Sequence, residues 1–218
     1  MPNTTINHLK PEEIIRFSDG TINSESSNKE LHPLIVFEGI DGSGKTSLSQ
    51  MISKEYHYRW SCEPYNNNYR ELISKSLVAE ERALLFAADR ALHCKVLNYD
   101  LGFLPCVVDR YIYSNIAYQS VLDKLPQPYL WAIQPLNVIK PSLIILLTCN
   151  PHVSVARCKK RNEYWTKTNL ENIQNAYIKI IESTHIPTII LNTDKPKNSV
   201  LEECKKKMSS FFNMNNYL

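Results

Sequence analysis

The sequence predicts an α/β protein with a parallel five-stranded sheet covered by helices on both faces. From Leu34 onward, short apolar runs alternate with longer helical patterns, which is the order expected of a parallel sheet. Leu34–Phe37 is uninterrupted and Leu143–Thr148 is similar, as is typical of strands that are buried on both faces, whereas two other runs carry a proline near their starts. A chain of 218 residues is long enough to bury one such core.

Five segments are predicted as strands. Four of them are apolar runs, and the fifth, Tyr56–Trp60, is weaker. The four runs are Leu34–Phe37, Leu104–Val108, Leu143–Thr148 and Ile186–Leu191. Because ligands of such sheets bind beyond the carboxyl ends of the strands, functional residues are expected just after each run.

Five segments are predicted as helices, and the clearest lies in the middle of the chain. There, apolar residues recur at three- and four-residue spacing and form a stripe of Leu84, Leu85, Ala88, Leu92 and Val96. The full set is Lys45–Lys54, Glu80–Tyr99, Tyr113–Leu122, Thr168–Glu182 and Lys197–Phe211. The alternation of these helices with the strands predicts that helices cover both faces of the sheet.

Residues 1–31 are polar and lack a sustained apolar period. We expect them to form a poorly ordered extension with one short helix at Pro11–Phe17, and we expect residues 32–218 to form one domain. The segment Met1–Lys10 has no basic region followed by an apolar stretch, so no secretory signal is expected.

The composition argues against several classes of function. The 25 basic and 22 acidic residues give a net charge of +3, which does not predict a nucleic-acid partner. No apolar run approaches the length of a membrane span, so no membrane partner is expected. The six cysteines are scattered and form no C-x-x-C pair, which favours reduced thiols in a cytoplasmic enzyme over disulfides or a zinc site.

Three of the five glycines, Gly39, Gly42 and Gly44, fall within six positions. They belong to residues 39–46, GIDGSGKT, which fit the pattern G-x-x-x-x-G-K-[ST] at every fixed position. A polyphosphate must be wrapped by backbone N–H groups, and glycine lets the chain curl closely enough. Lys45 is then expected to reach the β- and γ-phosphates of a nucleotide, and Thr46 to bind Mg²⁺. A chance glycine-rich turn is the alternative, but the position between an apolar strand and a helix favours nucleotide binding.

A second candidate site follows the run Leu104–Val108, where Asp109, Arg110 and Tyr111 stand in succession. An aspartate at the end of a strand can hold Mg²⁺ through water or accept a proton, and an arginine there can clamp a phosphate. A salt-bridged strand end is the alternative.

Two weaker signals involve a residue pair and a run of charges. Phe86 and Arg90 are four residues apart and share a helix face, where a ring and a guanidinium can grip a nucleobase. A core aromatic residue beside a solvent-facing arginine is the alternative. The basic run of Arg157, Lys159, Lys160 and Arg161 is either a solvated helix face or a mobile lid that places an arginine on a transferring phosphoryl group.

Taken together, these motifs resemble those of the thymidylate kinase family. The matches are residues 37–46 (FEGIDGSGKT), 85–90 (LFAADR), 109–119 (DRYIYSNIAYQ) and 140–143 (KPSL). The resemblance runs from about Leu34 to near the C-terminus. It implies the P-loop kinase fold with a short lid, a homodimer, and ATP- and Mg²⁺-dependent phosphoryl transfer to dTMP that gives dTDP and ADP.

The resemblance also implies roles for individual residues. It assigns catalysis to Lys45, Asp109, Arg110 and Arg161, and the metal to Thr46 and Asp109. ATP is expected to contact Gly39, Asp41, Gly42, Ser43, Gly44, Lys45, Thr46, Ser47, Arg157 and Asn192. The acceptor is expected to contact Asp41, Phe86, Arg90, Arg110, Asn115 and Tyr118. Thr193 falls with Asn192 where the family's last loop meets adenine, and Glu163 matches an acid that flanks the lid.

The sequence departs from the family pattern at three positions. Cys62 precedes Glu63 and Pro64, where the family usually has an arginine that grips the acceptor phosphate. We hypothesise that Arg70, close by in sequence, takes its place. Lys160 and Cys149 stand where acids are common.

Two alternatives for function stay open. The acceptor is another deoxynucleoside monophosphate or a nucleoside, or the chain is a catalytically silent relative that binds nucleotides. A switch GTPase is disfavoured, because its D-x-x-G element lies downstream of the phosphate loop, whereas Asp41 to Gly44 lies inside it.

Overall fold

The computed structural model describes residues 31–214. The short helix predicted at Pro11–Phe17 and residues 1–30 of the predicted extension lie outside the described residues, as do residues 215–218. Within the described range, no helix is long and apolar enough to cross a membrane.

Five parallel strands form one sheet in the order β2-β3-β1-β4-β5, which confirms the predicted fold class. They are β1 (Leu34–Gly39), β2 (Arg59–Cys62), β3 (Cys106–Asp109), β4 (Leu143–Thr148) and β5 (Thr188–Asn192). The weakest prediction, for β2, is displaced: the strand starts three residues later than Tyr56, which belongs to the preceding helix. As an edge strand that is only partly buried, β2 needs no apolar run.

Eight helices lie in the described part of the chain, and five of them match predicted segments. These five are α1 (Lys45–Tyr56), α3 (Ala79–Asp100), α4 (Ile112–Leu122), α7 (Lys167–Glu182) and α8 (Lys197–Met214). The other three are α2 (Asn67–Lys75), α5 (Gln127–Ala132) and α6 (Pro151–Lys159). They are short and bury few apolar side chains, so they give no sustained helical period.

Two apolar layers pack against opposite faces of the sheet. Alternate residues of β1 divide between them, with Leu34 and Val36 in one layer and Ile35 and Phe37 in the other. Helices α3, α4 and α7 contribute to the first layer, and α1 and α8 contribute to the second. The predicted coverage of both faces is therefore confirmed.

The apolar stripe predicted on α3 does not face the core. Leu84 and Leu92 are exposed, and the buried face of the helix carries alanines together with Asp89, Arg90 and His93. With Asp100, the buried face holds four polar side chains and so does not produce an apolar period. The apolar pattern in the sequence therefore marks the outer face of α3.

The strand order places the loop after β1 at the centre of the sheet edge. Strand β1 pairs with β3 on one side and with β4 on the other. The early strands β2 and β3 therefore lie on one side of β1 and the later strands β4 and β5 lie on the other, so the strand order reverses at β1. Ligands of open α/β sheets bind at such a reversal, beyond the carboxyl ends of the strands. In the β1–β3 register Phe37 pairs with Asp109, which brings the phosphate-loop motif and the Asp109-Arg110-Tyr111 motif together.

Candidate active site

The phosphate loop joins β1 to α1, and its geometry requires glycine. Gly39 and Gly42 have φ angles of 142° and 79°, a region that side chains disfavour. A Cβ atom would lie 2.3 Å from the Leu147 carbonyl oxygen at position 39 and 2.6 Å from the Ser154 carbonyl oxygen at position 42. No side chain caps the N-terminus of α1, so its first N–H groups stay available to an anion.

Lys45 is buried within this loop, and its Nζ donates a hydrogen bond to the carbonyl oxygen of Ile40 (2.8 Å). Burial, assisted by the charge of Arg110, lowers the pKa of Lys45 to about 8, although Asp41 and Asp109 raise it. Because burial disfavours the charged form of Lys45, an anion that binds beside its ammonium group stabilises that form strongly. Lys45 is therefore suited to bind phosphate oxygens.

Thr46 and Asp109 meet where β1 and β3 end. The Thr46 hydroxyl donates to Asp109 Oδ2 (2.5 Å), and Asp109 Oδ1 is buried without a hydrogen-bond partner among the described residues. Within residues 31–214 no cluster of three or more His, Cys, Asp or Glu side chains forms a metal cage. One carboxylate and one hydroxyl fit Mg²⁺, which enters such sites with its waters and the phosphates of a nucleotide.

Asp41, Arg110 and Tyr118 form a cluster beside the loop. The Arg110 guanidinium pairs with the Asp41 carboxylate and lies 5.1 Å from the centre of the Tyr118 ring. The Tyr118 hydroxyl donates to Asp41 Oδ2 (2.9 Å) and accepts from the Asp41 N–H (2.9 Å). Burial opposes ionisation of Asp41, but the charges of Arg110 and Lys45 outweigh it and lower the pKa of Asp41.

Two cavities flank the phosphate loop. The first, of about 440 Å³, is lined by all six residues expected to contact the acceptor: Asp41, Phe86, Arg90, Arg110, Asn115 and Tyr118. We call it the acceptor cavity. The second, of about 310 Å³, is lined by six of the residues expected at the nucleotide or in the lid: Gly42, Ser43, Gly44, Ser47, Arg157 and Arg161. We call it the nucleotide cavity. Thr193 also lines the nucleotide cavity, whereas Asn192 is exposed and does not.

Arg90 is buried, and its guanidinium donates three hydrogen bonds to side chains of the protein. Its Nε and Nη2 donate to Glu63 Oε2 (3.0 and 2.6 Å), and its Nη1 donates to Gln134 Oε1 (2.5 Å). Phe86 and Arg90 line the same cavity, as their four-residue spacing predicts. The contact of Arg90 with a base stays a prediction, for which two of its five N–H donors are left.

Arg157 joins the phosphate loop to the loop after β5. Its Nη1 donates to the Gly42 carbonyl oxygen (3.2 Å) and its Nη2 to the Thr193 carbonyl oxygen (2.8 Å). The connection between α6 and α7, residues 160–166, carries Arg161 to the nucleotide cavity and Trp165 to the acceptor cavity. This short connection therefore touches both cavities.

Gln119 lines the acceptor cavity but was not among the residues predicted for it. It lies four residues after Asn115 and so shares a face of α4 with it. Gln119 Oε1 and Asn115 Nδ2 are buried and have no hydrogen-bond partner among the described residues. Position 119 closes the motif that starts at Asp109, which is the signal that would have found it.

Glu38 is a positioning residue that the sequence motifs do not predict. Its buried carboxylate accepts hydrogen bonds from the N–H groups of Tyr111 (2.9 Å) and Ser114 (3.2 Å) and from the Ser114 hydroxyl (2.6 Å). These N–H groups lie at the start of α4, which has no side-chain cap of its own. Glu38 thus caps the helix that carries Asn115 and Tyr118 into the acceptor cavity.

Glu38→Gln is expected to change how stability depends on pH. Burial raises the pKa of Glu38 from 4.5 to about 7, against smaller lowering effects of Ser114 and Arg110. A carboxyl whose pKa is raised by folding adds stability below pH 4.5 that is lost as pH rises through 7. At 1.36 kcal/mol per pKa unit the loss is about 3 kcal/mol.

Urea unfolding of both proteins between pH 4 and 8 measures this effect. Glutamine does not titrate, so the free energy of unfolding of the wild type should fall relative to that of Glu38→Gln as pH rises from 4.5 to 7. A difference between the two proteins that stays constant with pH would contradict the prediction.

Comparison with known proteins identifies the family of the chain. A family model described as thymidylate kinase matches residues 37–204, a range that contains the phosphate loop, Asp109 and the lid connection. This chain belongs to the thymidylate kinase family. Membership confirms the resemblance seen in the motifs, and it makes the chain a nucleotide-binding kinase of nucleotide biosynthesis.

Curated relatives of the thymidylate kinase family match most of the chain. A probable thymidylate kinase of Methanocaldococcus jannaschii is 35% identical over 167 residues, which are 74% of this chain and 87% of the relative. One from Archaeoglobus fulgidus is 32% identical over 83% of this chain and 97% of the relative. Probable thymidylate kinase 1 of Saccharolobus solfataricus is 32% identical over 81% of this chain and 96% of the relative.

Proposed function

We propose that this enzyme transfers the γ-phosphoryl group of ATP to dTMP and gives dTDP and ADP, with Mg²⁺ bound to ATP. The observation that carries the proposal is the pair of cavities on the two sides of the phosphate loop. The nucleotide cavity is lined by loop glycines and arginines, and the acceptor cavity by all six residues expected at an acceptor nucleotide. An anion bound in each of the two cavities would have the phosphate loop, which contains Lys45, between it and the other.

The unpartnered groups of the acceptor cavity support a thymine base. Asn115 Nδ2 is a donor and Gln119 Oε1 is an acceptor, and both are buried. Thymine and uracil present the complement of this pair, a carbonyl oxygen beside the N3–H group. A base that leaves buried groups unpaired is strongly disfavoured, so the pair supports a base that offers an acceptor and a donor side by side, as thymine does.

The residues around the loop can perform the transfer by positioning and by charge compensation, without a covalent intermediate on the protein. Lys45 and Arg110 offset the repulsion between the two phosphate groups, and Asp41 holds Arg110 in place. The connection that carries Arg161 and Trp165 can exclude water from both cavities when substrates are bound. Mg²⁺, which Thr46 and Asp109 would hold with the nucleotide, supplies neutralisation of the phosphate oxygens.

An ADP-release assay with ATP and Mg²⁺ tests the proposal. We expect turnover with dTMP, less with dUMP and the ribose form of TMP, and none with dGMP or thymidine. Turnover confined to another monophosphate would reassign the acceptor cavity. Failure of every acceptor to react, together with measurable ATP binding, would establish a catalytically silent relative instead.

We also propose that the enzyme is a homodimer joined through α3. The exposed side chains Leu84, Leu92 and Tyr99 of α3 have 51%, 40% and 68% of their surface accessible. At 100° per residue they lie within about 80° of one another, so they form one apolar stripe. A second copy of the chain would cover the stripe on both partners, as a two-fold interface does.

Sedimentation equilibrium is expected to give about 50 kDa, twice the chain mass of 25.2 kDa. Leu92→Glu places a charge on the stripe and should give the monomer mass. A monomeric wild type at 10 to 50 μM would contradict the proposal.

A further inference from the structure

Four arginines line the acceptor cavity, and three of them are neutralised there. The four are Arg70, Arg82, Arg90 and Arg110. The three ion pairs join Arg82 to Asp123, Arg90 to Glu63 and Arg110 to Asp41. All three carboxylates line the same cavity. The fourth cation, Arg70, pairs with none of these three carboxylates.

Arg70 makes no ion pair with any residue in the described range 31–214. Its Nη2 donates to the Pro64 carbonyl oxygen (2.5 Å) and contacts Cys62 Sγ (3.5 Å). Its Nε and Nη1 donate no hydrogen bond to the described residues, so at least three N–H donors are free for a ligand. A guanidinium in this state is suited to grip a phosphate through two parallel hydrogen bonds.

The segment before α2 holds Arg70 at the cavity. The carboxylate of Asp89, buried in α3, accepts hydrogen bonds from the N–H groups of Tyr65 (2.6 Å) and Asn66 (2.7 Å). Asn66 in turn caps α2, because its side chain accepts from the Asn68 N–H (2.9 Å). Arg70 comes one turn after this cap, so α2 begins at a fixed place and carries the side chain to the cavity.

We propose that Arg70 binds the phosphate of the acceptor nucleotide. It thereby supplies, from α2, the positive charge that Cys62 cannot supply at the end of β2. The contact between the Arg70 guanidinium and the Cys62 thiol places the cation beside position 62. The inference rests on the proposed function, because it requires an acceptor that carries a phosphate.

Binding of dTMP and of thymidine to Arg70→Gln tests the proposal, because the two ligands differ only in the phosphate. Loss of a charge-assisted pair of hydrogen bonds is expected to raise the Kd for dTMP about 10- to 100-fold. The Kd for thymidine should change by less than about twofold, since the base and sugar contacts remain. Calorimetry measures both constants without turnover.

Two further variants separate charge from structure. Lys75→Gln removes a cation from the same helix, but Lys75 is exposed, pairs with Glu71 and does not line the cavity. We expect it to bind both ligands as the wild type does. Arg70→Lys keeps the charge and loses the fork, so it should recover part of the affinity for dTMP and leave thymidine unaffected.

An unchanged Kd for dTMP in Arg70→Gln, or equal weakening of dTMP and thymidine, would overturn the assignment of Arg70. If the wild type turns over dTMP in that case, the proposed function stands and only the role of Arg70 fails. If the wild type binds dTMP through Arg70 but transfers no phosphoryl group to it, the proposed function fails and the role of Arg70 stands.

Discussion

Lys45→Met is expected to lower kcat by about 10²- to 10³-fold, the usual cost of removing one preorganised electrostatic group from a transferring centre. Methionine has a similar length and volume but no charge. The variant loses the hydrogen bond from Nζ to the Ile40 carbonyl oxygen, yet it no longer buries a cation. These two effects on the free energy of unfolding oppose each other, so the melting temperature should change little.

The pH dependence of the wild type gives a second measurement of Lys45. Because burial lowers its pKa to about 8, the free enzyme loses this charge as pH rises through that value. The kcat/KM for ATP, which reports the free enzyme, should therefore fall above pH 8. Lys45→Met should lack this decline, and Lys54→Met, an exposed change on the same helix, should keep both the decline and the wild-type kcat.

A kcat for Lys45→Met within about tenfold of the wild type would contradict the proposed role. So would a decline above pH 8 that persists in this variant, because another group would then have to titrate. ADP release measured across pH 6 to 9 at varied ATP concentrations covers both outcomes.

The fold was predictable where burial alone determines the residue types. Strands β1 and β4 are buried on both faces, so their sequences read as uninterrupted apolar runs. Strand β2 is a partly exposed edge, and α6 buries only Ser154 and Cys158, so neither leaves an apolar pattern. In these elements the tertiary contacts, rather than a local period, select the structure.

The site was predictable where the chemistry demands adjacent residues. The phosphate loop and Asp109-Arg110 are local motifs, and the β1–β3 register brings them together. Partners that are distant in sequence could not be predicted. Glu38 of β1 caps α4, and Glu63 accepts hydrogen bonds from Arg90, which lies 27 residues later in the chain. Their residue types carry no signal until the fold places them in contact.

Asp109→Asn is expected to lower kcat by about 10²- to 10³-fold and to raise the Mg²⁺ concentration needed for half-maximal rate. Asparagine keeps the shape of the side chain and removes its charge. Asp109 Oδ1 is buried without a partner among the described residues, and its Oδ2 accepts from the Thr46 hydroxyl. We expect a cation that arrives with the nucleotide to bind this open oxygen, and an amide cannot replace the charge that such a cation requires.

Thermal unfolding gives a readout of Asp109 that does not depend on turnover. In the wild type, ATP with Mg²⁺ should raise the melting temperature more than ATP with EDTA does, and this difference should shrink in Asp109→Asn. Asp100→Asn removes a carboxylate that pairs with Arg59 and lines neither cavity, so it should keep the full difference. If Asp109→Asn keeps the difference and the wild-type Mg²⁺ requirement, Asp109 is only a hydrogen-bonded strand end. The metal would then be held by Thr46 and the phosphates alone.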